Sequence, residues 1–184
     1  FEYAKMLKNG EGIEKNVEEA IKHFKLAADK GHLNSMFEYA KMLKNGEGIE
    51  KNVEEAIKHF KLAADKGHLN SMFEYAKMLK NGEGIEKNVE EACRIFKYLA
   101  ERGHLDSMFE YASMAENGVG IERSCEEAVR YYKLAADLGH FDSMYTYADM
   151  LKFGDGNGDD MKEAARYYKL AADHGHFNSM FMYA

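Results

Sequence analysis

Histidine is the residue type in this sequence best suited to metal binding or proton transfer, and the chain contains eight. His23 and His59 occupy equivalent positions in the first two copies of a 36-residue repeat, and the third copy has Ile95 there. A position that accepts isoleucine is typical of a packing site. A residue that recurs at the same position of every copy indicates a structural role in the repeat. Five histidines recur in this way, each after a glycine and 36 residues from the next: His32, His68, His104, His140 and His176.

The remaining chemistry is a close histidine pair and one acidic loop. His174 and His176 form the pair, but a metal site needs three or four ligands, and no cysteine or acidic cluster stands at a matching spacing. The chain also lacks a glycine-rich phosphate loop and a nucleophile motif. The sequence therefore predicts no cofactor, no metal site and no enzyme.

The acidic loop lies in "DGNGDDMKEAAR", residues 155–166. Asp155, Asn157 and Asp159 occupy positions 1, 3 and 5 of a calcium loop, but position 6 is Asp160 and not glycine, and position 12 is Arg166 and not glutamate. We interpret the segment as a connection between two helices, with Asp160 as the N-cap of the second. Weak calcium binding is the alternative, and calorimetric titration tests it.

These residues sit in a repeated sequence. Residues 1–36 recur unchanged at 37–72, and the pattern continues at 73–108, 109–144 and 145–180, with a stub at 181–184. A period of 20–50 residues is typical of a solenoid, in which each unit buries its apolar face against its neighbours. The stub is expected to begin a further copy, so we interpret the chain as a fragment of a longer array.

The sequence pattern within each copy predicts two helices, called helix A and helix B. In helix A an apolar stripe is spaced at i, i+3, i+4 and i+7, from Met36 to Leu43. Asn34 is the predicted N-cap, and Gly46 is predicted to end the helix in the left-handed conformation. Helix B begins at Asn52, paired with Glu55 in a capping-box-like arrangement. The positions equivalent to Asn34 are Asp106, Asp142 and Asn178.

The order of residues across the second and third copies resembles the Sel-1-like repeat, a relative of the tetratricopeptide repeat. The resemblance rests on Ala56-x3-Phe60-x2-Ala63-Ala64-x2-Gly67, followed by Ser71-x3-Tyr75-Ala76-x2-Leu79-x2-Gly82-x-Gly84-Ile85. It departs from the family at Tyr75–Ala76 and at Leu79, where leucine-glycine and tyrosine are usual.

The resemblance implies an all-α fold, an α/α superhelical solenoid of helix-turn-helix repeats with the A helices on the concave wall. It also implies a non-catalytic scaffold or adaptor that binds proteins. Adaptors of endoplasmic-reticulum quality control belong to this family and are an alternative. The subgroup with a disulfide in every repeat, to which a penicillin-binding activity is attributed, is excluded because the chain has two cysteines.

Composition limits the partners and the compartment. The net charge of −7 without a basic stripe argues against nucleic acid, and no apolar run is long enough to span a membrane. Cys93 and Cys125 replace apolar residues of the repeat, so we interpret them as small hydrophobes. So few cysteines favour a reducing compartment, and we expect a cytoplasmic protein.

Charge drift along the array marks the predicted partner site. The five copies carry net charges of 0, 0, −1, −4 and −2. We expect a basic segment of another protein to dock on helix A of the fourth and fifth copies, on Phe109, Ser113, Glu116, Tyr145, Asp149 and Lys152. A solvated acidic surface is the alternative for the charges, and burial between repeats is the alternative for the two aromatic residues. End-to-end self-association is a further alternative function.

Overall fold

The structure, a computed structural model, describes residues 1–154 and 158–183. All regular secondary structure in this part of the chain is helical. The chain divides into two compact units, Phe1–Ala92 and Cys93–Ala184, which are described separately below. The predicted all-α repeat fold is confirmed.

The first unit consists of successive helical hairpins, and its first five helices pack one on the next in chain order. Its core contains Phe24, Tyr39, Leu43 and Phe60, all at most 2% exposed. The predicted apolar stripes of helices A and B are therefore the buried faces. The helices are α1 (Glu2–Asn9), α2 (Val17–Asp29), α3 (Leu33–Asn45), α4 (Val53–Asp65), α5 (Leu69–Asn81) and the first part of α6 (Val89–Ala100).

The second unit repeats this arrangement, with α7 to α11 packed in sequence. Its core is richer in tyrosine, with Tyr111, Tyr132 and Tyr147 at most 5% exposed. Odd-numbered helices are the A helices and even-numbered helices are the B helices. After the end of α6 they are α7 (Leu105–Asn117), α8 (Cys125–Asp137), α9 (Phe141–Phe153), α10 (Gly158–Asp173) and α11 (Phe177–Tyr183).

The A helices are capped by the periodic histidines, so the prediction that Asn34 is the cap was wrong. Helix α3 begins at Leu33, and His32 is its N-cap, with Nδ1 accepting a hydrogen bond from the backbone N–H of Ser35 at 3.2 Å. Asn34 is inside the helix, where its side chain faces the next repeat: its Oδ1 lies 2.9 Å from Nε2 of His68. The same correction applies to the equivalent residues Asp106, Asp142 and Asn178, which follow His104, His140 and His176.

The B helices of the first four copies begin as predicted. The backbone N–H of Glu55 donates to Oδ1 of Asn52 at 3.0 Å, and the side-chain amide of Asn52 donates to the Glu55 carboxylate at 3.3 Å. The preceding A helix ends at Gly46 with φ 72°, the left-handed conformation predicted for it. Local sequence therefore sets both ends of the A–B connection.

The connection of the fifth copy differs from the other four. Gly154 has φ −75°, and is not left-handed as its equivalent Gly46 is. Helix α10 begins at Gly158, earlier than its counterparts, so Asp160 lies inside the helix and the prediction that it is the N-cap was wrong. An acidic residue is favourable in a first helical turn because it faces the positive end of the helix dipole. Asp155 and Asn157 of the candidate calcium loop lie outside the described residues.

Candidate functional site

The three candidate residues on α7 lie around the side chain of Tyr132 on α8. Phe109 packs edge to face on the Tyr132 ring, with centroids 5.5 Å apart. The Glu116 carboxylate accepts a hydrogen bond from the Tyr132 hydroxyl at 3.2 Å. The Ser113 side chain also lies near this hydroxyl, where it partly opposes the rise that burial causes in the pKa of Tyr132. The structure thus brings Phe109, Ser113 and Glu116 together around a tyrosine that the prediction did not include, and whether they bind a partner stays a prediction.

The candidates on α9 surround the equivalent tyrosine, Tyr168 on α10. Tyr145 lies 5.9 Å from the Tyr168 ring, and the Asp149 carboxylate accepts a hydrogen bond from the Tyr168 hydroxyl. Lys152 lines a groove of about 230 Å³ together with Tyr168 and Met161. The fifth copy therefore reproduces the arrangement of the fourth, with the acid contributed from a different turn of helix A.

Both tyrosine hydroxyls are permanent donors at neutral pH. Burial and the charge of Glu116 raise the pKa of Tyr132, and burial and the hydrogen bond to Asp149 raise the pKa of Tyr168. The equivalent positions in the first three copies are phenylalanine, at Phe24, Phe60 and Phe96. The change to tyrosine accompanies the change to acid on helix A, so each acidic side chain has an internal partner as well as a solvated side.

The aromatic candidates are half-buried. Phe109 also contacts the ring of His140 at 5.4 Å, and Tyr145 contacts His176 at 5.3 Å. Each is therefore packed between its own hairpin and the cap of the next A helix. This geometry favours a packing role for both rings.

An ion-pair ladder occupies the helix-A surface of the first unit. Lys44 Nζ lies 3.1 Å from Glu74 and 3.3 Å from Glu83, and Lys8 makes the same contacts with Glu38 and Glu47. Burial acts to lower the pKa of Lys44, but the two carboxylates raise it overall, so the lysine is charged. The ladder therefore neutralises helix A in the first repeats.

The ladder is replaced in the second unit. Glu116 stands where Lys8 and Lys44 stand in the first two copies, and Thr146 stands where Glu38 and Glu74 stand. Both members of the pair change together, and Glu116 accepts from Tyr132. The helix-A surface of α7 consequently carries acidic charge where the first unit carries a neutralised pair.

Among the remaining histidines, His59 has a packing position. The ring of His59 meets Tyr39 edge to face at 5.1 Å, and burial lowers the pKa of His59. Among the described residues, no three histidine, cysteine or acidic side chains are grouped so that they could hold a metal ion. In the same part of the chain, no helix combines the length and apolar character of a membrane span.

A family model for the Sel1 repeat matches five consecutive segments, residues 1–32, 33–68, 69–104, 105–140 and 141–176. The chain belongs to the Sel1 repeat family. From the second segment on, each match begins at the first residue of an A helix, directly after the capping histidine. Sel1 repeat proteins are generally scaffolds for protein–protein interaction and are typically non-catalytic.

Solved structures support the same fold. A Sel1 repeat protein from Oxalobacter formigenes is similar with a TM-score of 0.91 and 27% identity, over 97% of this chain and 73% of that one. A protective antigen of uropathogenic Escherichia coli with an SLR fold has a TM-score of 0.84 and 20% identity, over 98% of this chain and 38% of that one. An immunity protein from Pseudomonas aeruginosa has a TM-score of 0.64 and 20% identity, over 97% of this chain and 67% of that one. A comparison with curated protein sequences gave no significant match.

Proposed function

We propose that this Sel1 array is a scaffold that binds a basic segment of another protein on the helix-A surface of its fourth and fifth repeats. The observation that carries the proposal is the replacement of the lysine–glutamate ladder by Glu116 and Thr146. A surface that is neutralised in the first repeats is acidic in the later ones. Charge complementarity of this kind steers association and selects partners more than it adds raw affinity.

The internal hydrogen bonds of the acids set the design of the test. A lysine at Glu116 or Asp149 would remove the acceptor of a buried tyrosine hydroxyl as well as the charge. Leaving a buried hydroxyl without its partner costs about 1–3 kcal/mol of folding stability. A charge-reversed variant could therefore lose peptide binding because it is less stable and not because its charge has changed. Glu116→Gln and Asp149→Asn keep a carbonyl acceptor and remove only the charge.

The test first selects, from a displayed random library, peptides that bind the unaltered protein. We expect lysine and arginine to be enriched, and the double variant Glu116→Gln/Asp149→Asn to bind the selected peptides about tenfold more weakly at low salt. The difference should shrink as salt is added, because the interaction is between exposed charges. Fluorescence anisotropy gives the dissociation constants.

Glu74→Gln in the first unit is the matched control, since it removes the same charge from a helix-A position that belongs to the ladder. It should leave peptide affinity unchanged. Selected peptides without basic residues, or equal affinity for the double variant and the unaltered protein, would contradict the proposed site.

A second candidate function is end-to-end assembly, and identical sequences favour it. Tyr3 and Met6 are 51% and 37% exposed, whereas their equivalents Tyr39 and Met42 are 2% and 0% exposed. Since residues 1–36 and 37–72 are the same, the difference arises from the preceding repeat that covers the second pair. The face of α1 therefore fits another repeat of this sequence, whether that repeat precedes Phe1 in the same chain or belongs to a second copy. Light scattering that shows concentration-dependent growth would support assembly, and a constant monomer mass would exclude it.

We also propose that the protein works in a reducing compartment such as the cytoplasm. Cys93 is buried and Cys125 is exposed, and both are free thiols. Burial raises the pKa of Cys93, so its side chain behaves as a small neutral hydrophobe. Thiol labelling in cells, with Cys125 found reduced, tests this placement.

A further inference from the structure

A groove runs along the edge of the second unit where each B helix turns into the next A helix. Its volume is about 510 Å³. The walls come from three successive turns and include Asp106, His140, Phe141, Asp142 and His174. The groove belongs to the loop edge and shares no residue with the helix-A candidates.

The histidine caps hold the two carboxylates in place. Nε2 of His140 lies 3.3 Å from Oδ1 of Asp106, and Nε2 of His176 lies 3.2 Å from Oδ1 of Asp142. Since Nδ1 of His176 accepts the backbone N–H of Ser179, Nε2 is the ring nitrogen that donates to Asp142, and Nε2 of His140 faces Asp106 in the same way. The aspartate side chains are 60% and 64% exposed, so each keeps acceptor capacity toward solvent.

Phe141 supplies an aromatic wall beside these acids. It is 38% exposed and stacks on His174, with ring centroids 5.0 Å apart and an angle of 24° between the planes. A planar ring held in this way, close to carboxylates, is the arrangement that favours a guanidinium group, which stacks on aromatic faces and donates to carboxylates through a rigid fork.

The first unit shows what fills the equivalent place. The residues that correspond to Phe141, Asp142 and His174 are Leu33, Asn34 and Lys66. Lys66 extends its ammonium group over this edge: its Nζ lies 3.7 Å from the point that a β-carbon would occupy if Gly31 had a side chain. At Gly139, the counterpart of Gly31, no atom lies within 4 Å of that position.

At Gly31 the first unit thus carries its own cation beside a neutral amide. At Gly139 the second unit carries carboxylates and an aromatic ring, with His174 in the place of the lysine. We propose that the loop-edge groove of the second unit binds an arginine side chain from a partner, with the guanidinium against Phe141 and hydrogen-bonded to Asp106 or Asp142. This site is independent of the helix-A surface proposed above, and one partner segment need not reach both.

The test uses a fluorescent peptide of alternating glycine and arginine, with a lysine version of the same peptide for comparison. Each variant restores a residue that the first unit carries, so the fold is expected to be kept. Asp142→Asn and Phe141→Leu should each weaken arginine-peptide binding about fivefold. His174→Lys should abolish it, because the chain's own ammonium group would again occupy the edge. The unaltered protein should prefer the arginine peptide to the lysine peptide.

Glu74→Gln in the first unit is the control for a carboxylate removed outside both surfaces, and it should leave this affinity within twofold of the unaltered protein. Glu116→Gln is measured beside it to separate the two surfaces. Unchanged binding by Asp142→Asn and His174→Lys, with thermal melts that show intact protein, would overturn the groove proposal and leave the helix-A proposal standing. A loss of affinity confined to Glu116→Gln would assign the arginine peptide to helix A and would also overturn it.

Discussion

Replacing Gly48 with alanine is expected to lower the free energy of unfolding by roughly 2–4 kcal/mol, through a left-handed backbone and a steric clash that add to one another. Gly48 has φ +69°, and a β-carbon there would lie 2.3 Å from Cγ1 of Val17 in the preceding repeat. The glycine is therefore the point at which one A–B connection contacts the neighbouring B helix. Urea unfolding of the variant measures the loss.

Gly67→Ala is the matched control, since Gly67 also has a positive φ, +88°, but no atom lies within 4 Å of its β-carbon position. It should cost only about 1 kcal/mol, the backbone part of the effect. Adding Val17→Ala to Gly48→Ala should recover part of the loss by removing the clashing methyl group. Equal losses for Gly48→Ala and Gly67→Ala would contradict close packing at this connection.

Acidification from pH 7.5 to 5.5 is expected to destabilise the array through its histidine caps. Burial lowers the pKa of His68 and of His104 below the ordinary value of 6.5. The neutral ring is the form that the fold favours, so its contribution to stability is complete above pH 6.5 and is lost as the pH falls toward the lower pKa of the folded state. A protonated Nδ1 no longer accepts the backbone N–H of Ser71 or Ser107, and each lost cap costs about 1 kcal/mol.

Urea midpoints at half-unit pH steps give this dependence. His68→Asn keeps a good N-cap that does not titrate, so it should reduce the drop between pH 7.5 and 5.5 without a large loss at pH 7.5. Stability that is constant over this range, or a variant with the same drop as the unaltered protein, would show that the caps do not titrate as described.

Local patterns predicted most of the fold. The stripe from Met36 to Leu43 and the pair Asn52 and Glu55 identified the helices and a cap because they act within a few residues. The A-helix cap was assigned to the wrong residue because Asn is a common N-cap and histidine is not. Two features of the sequence point to the true cap: His32 recurs at the same position in the later copies, and Ser35, whose backbone N–H it caps, follows three residues later.

Long-range pairing explains what the sequence left open at the site. The bond between Tyr132 and Glu116 joins residues on two helices, and no local spacing identifies it. Comparing repeats offers a clue, since Phe60 becomes Tyr132 in the same copy in which Lys44 becomes Glu116. Two coordinated changes in one repeat indicate a new contact between the changed positions, which the surface charge alone does not reveal.

Chemical-shift mapping with a selected basic peptide tests the central proposal most directly. With the uniformly ¹⁵N-labelled protein, we predict that amide shifts on peptide addition concentrate on α7 and α9, around Ser113, Glu116, Asp149 and Lys152. Shifts that leave these amides unchanged and map to the B helices or to the first unit would contradict a partner site on the helix-A surface of the fourth and fifth repeats.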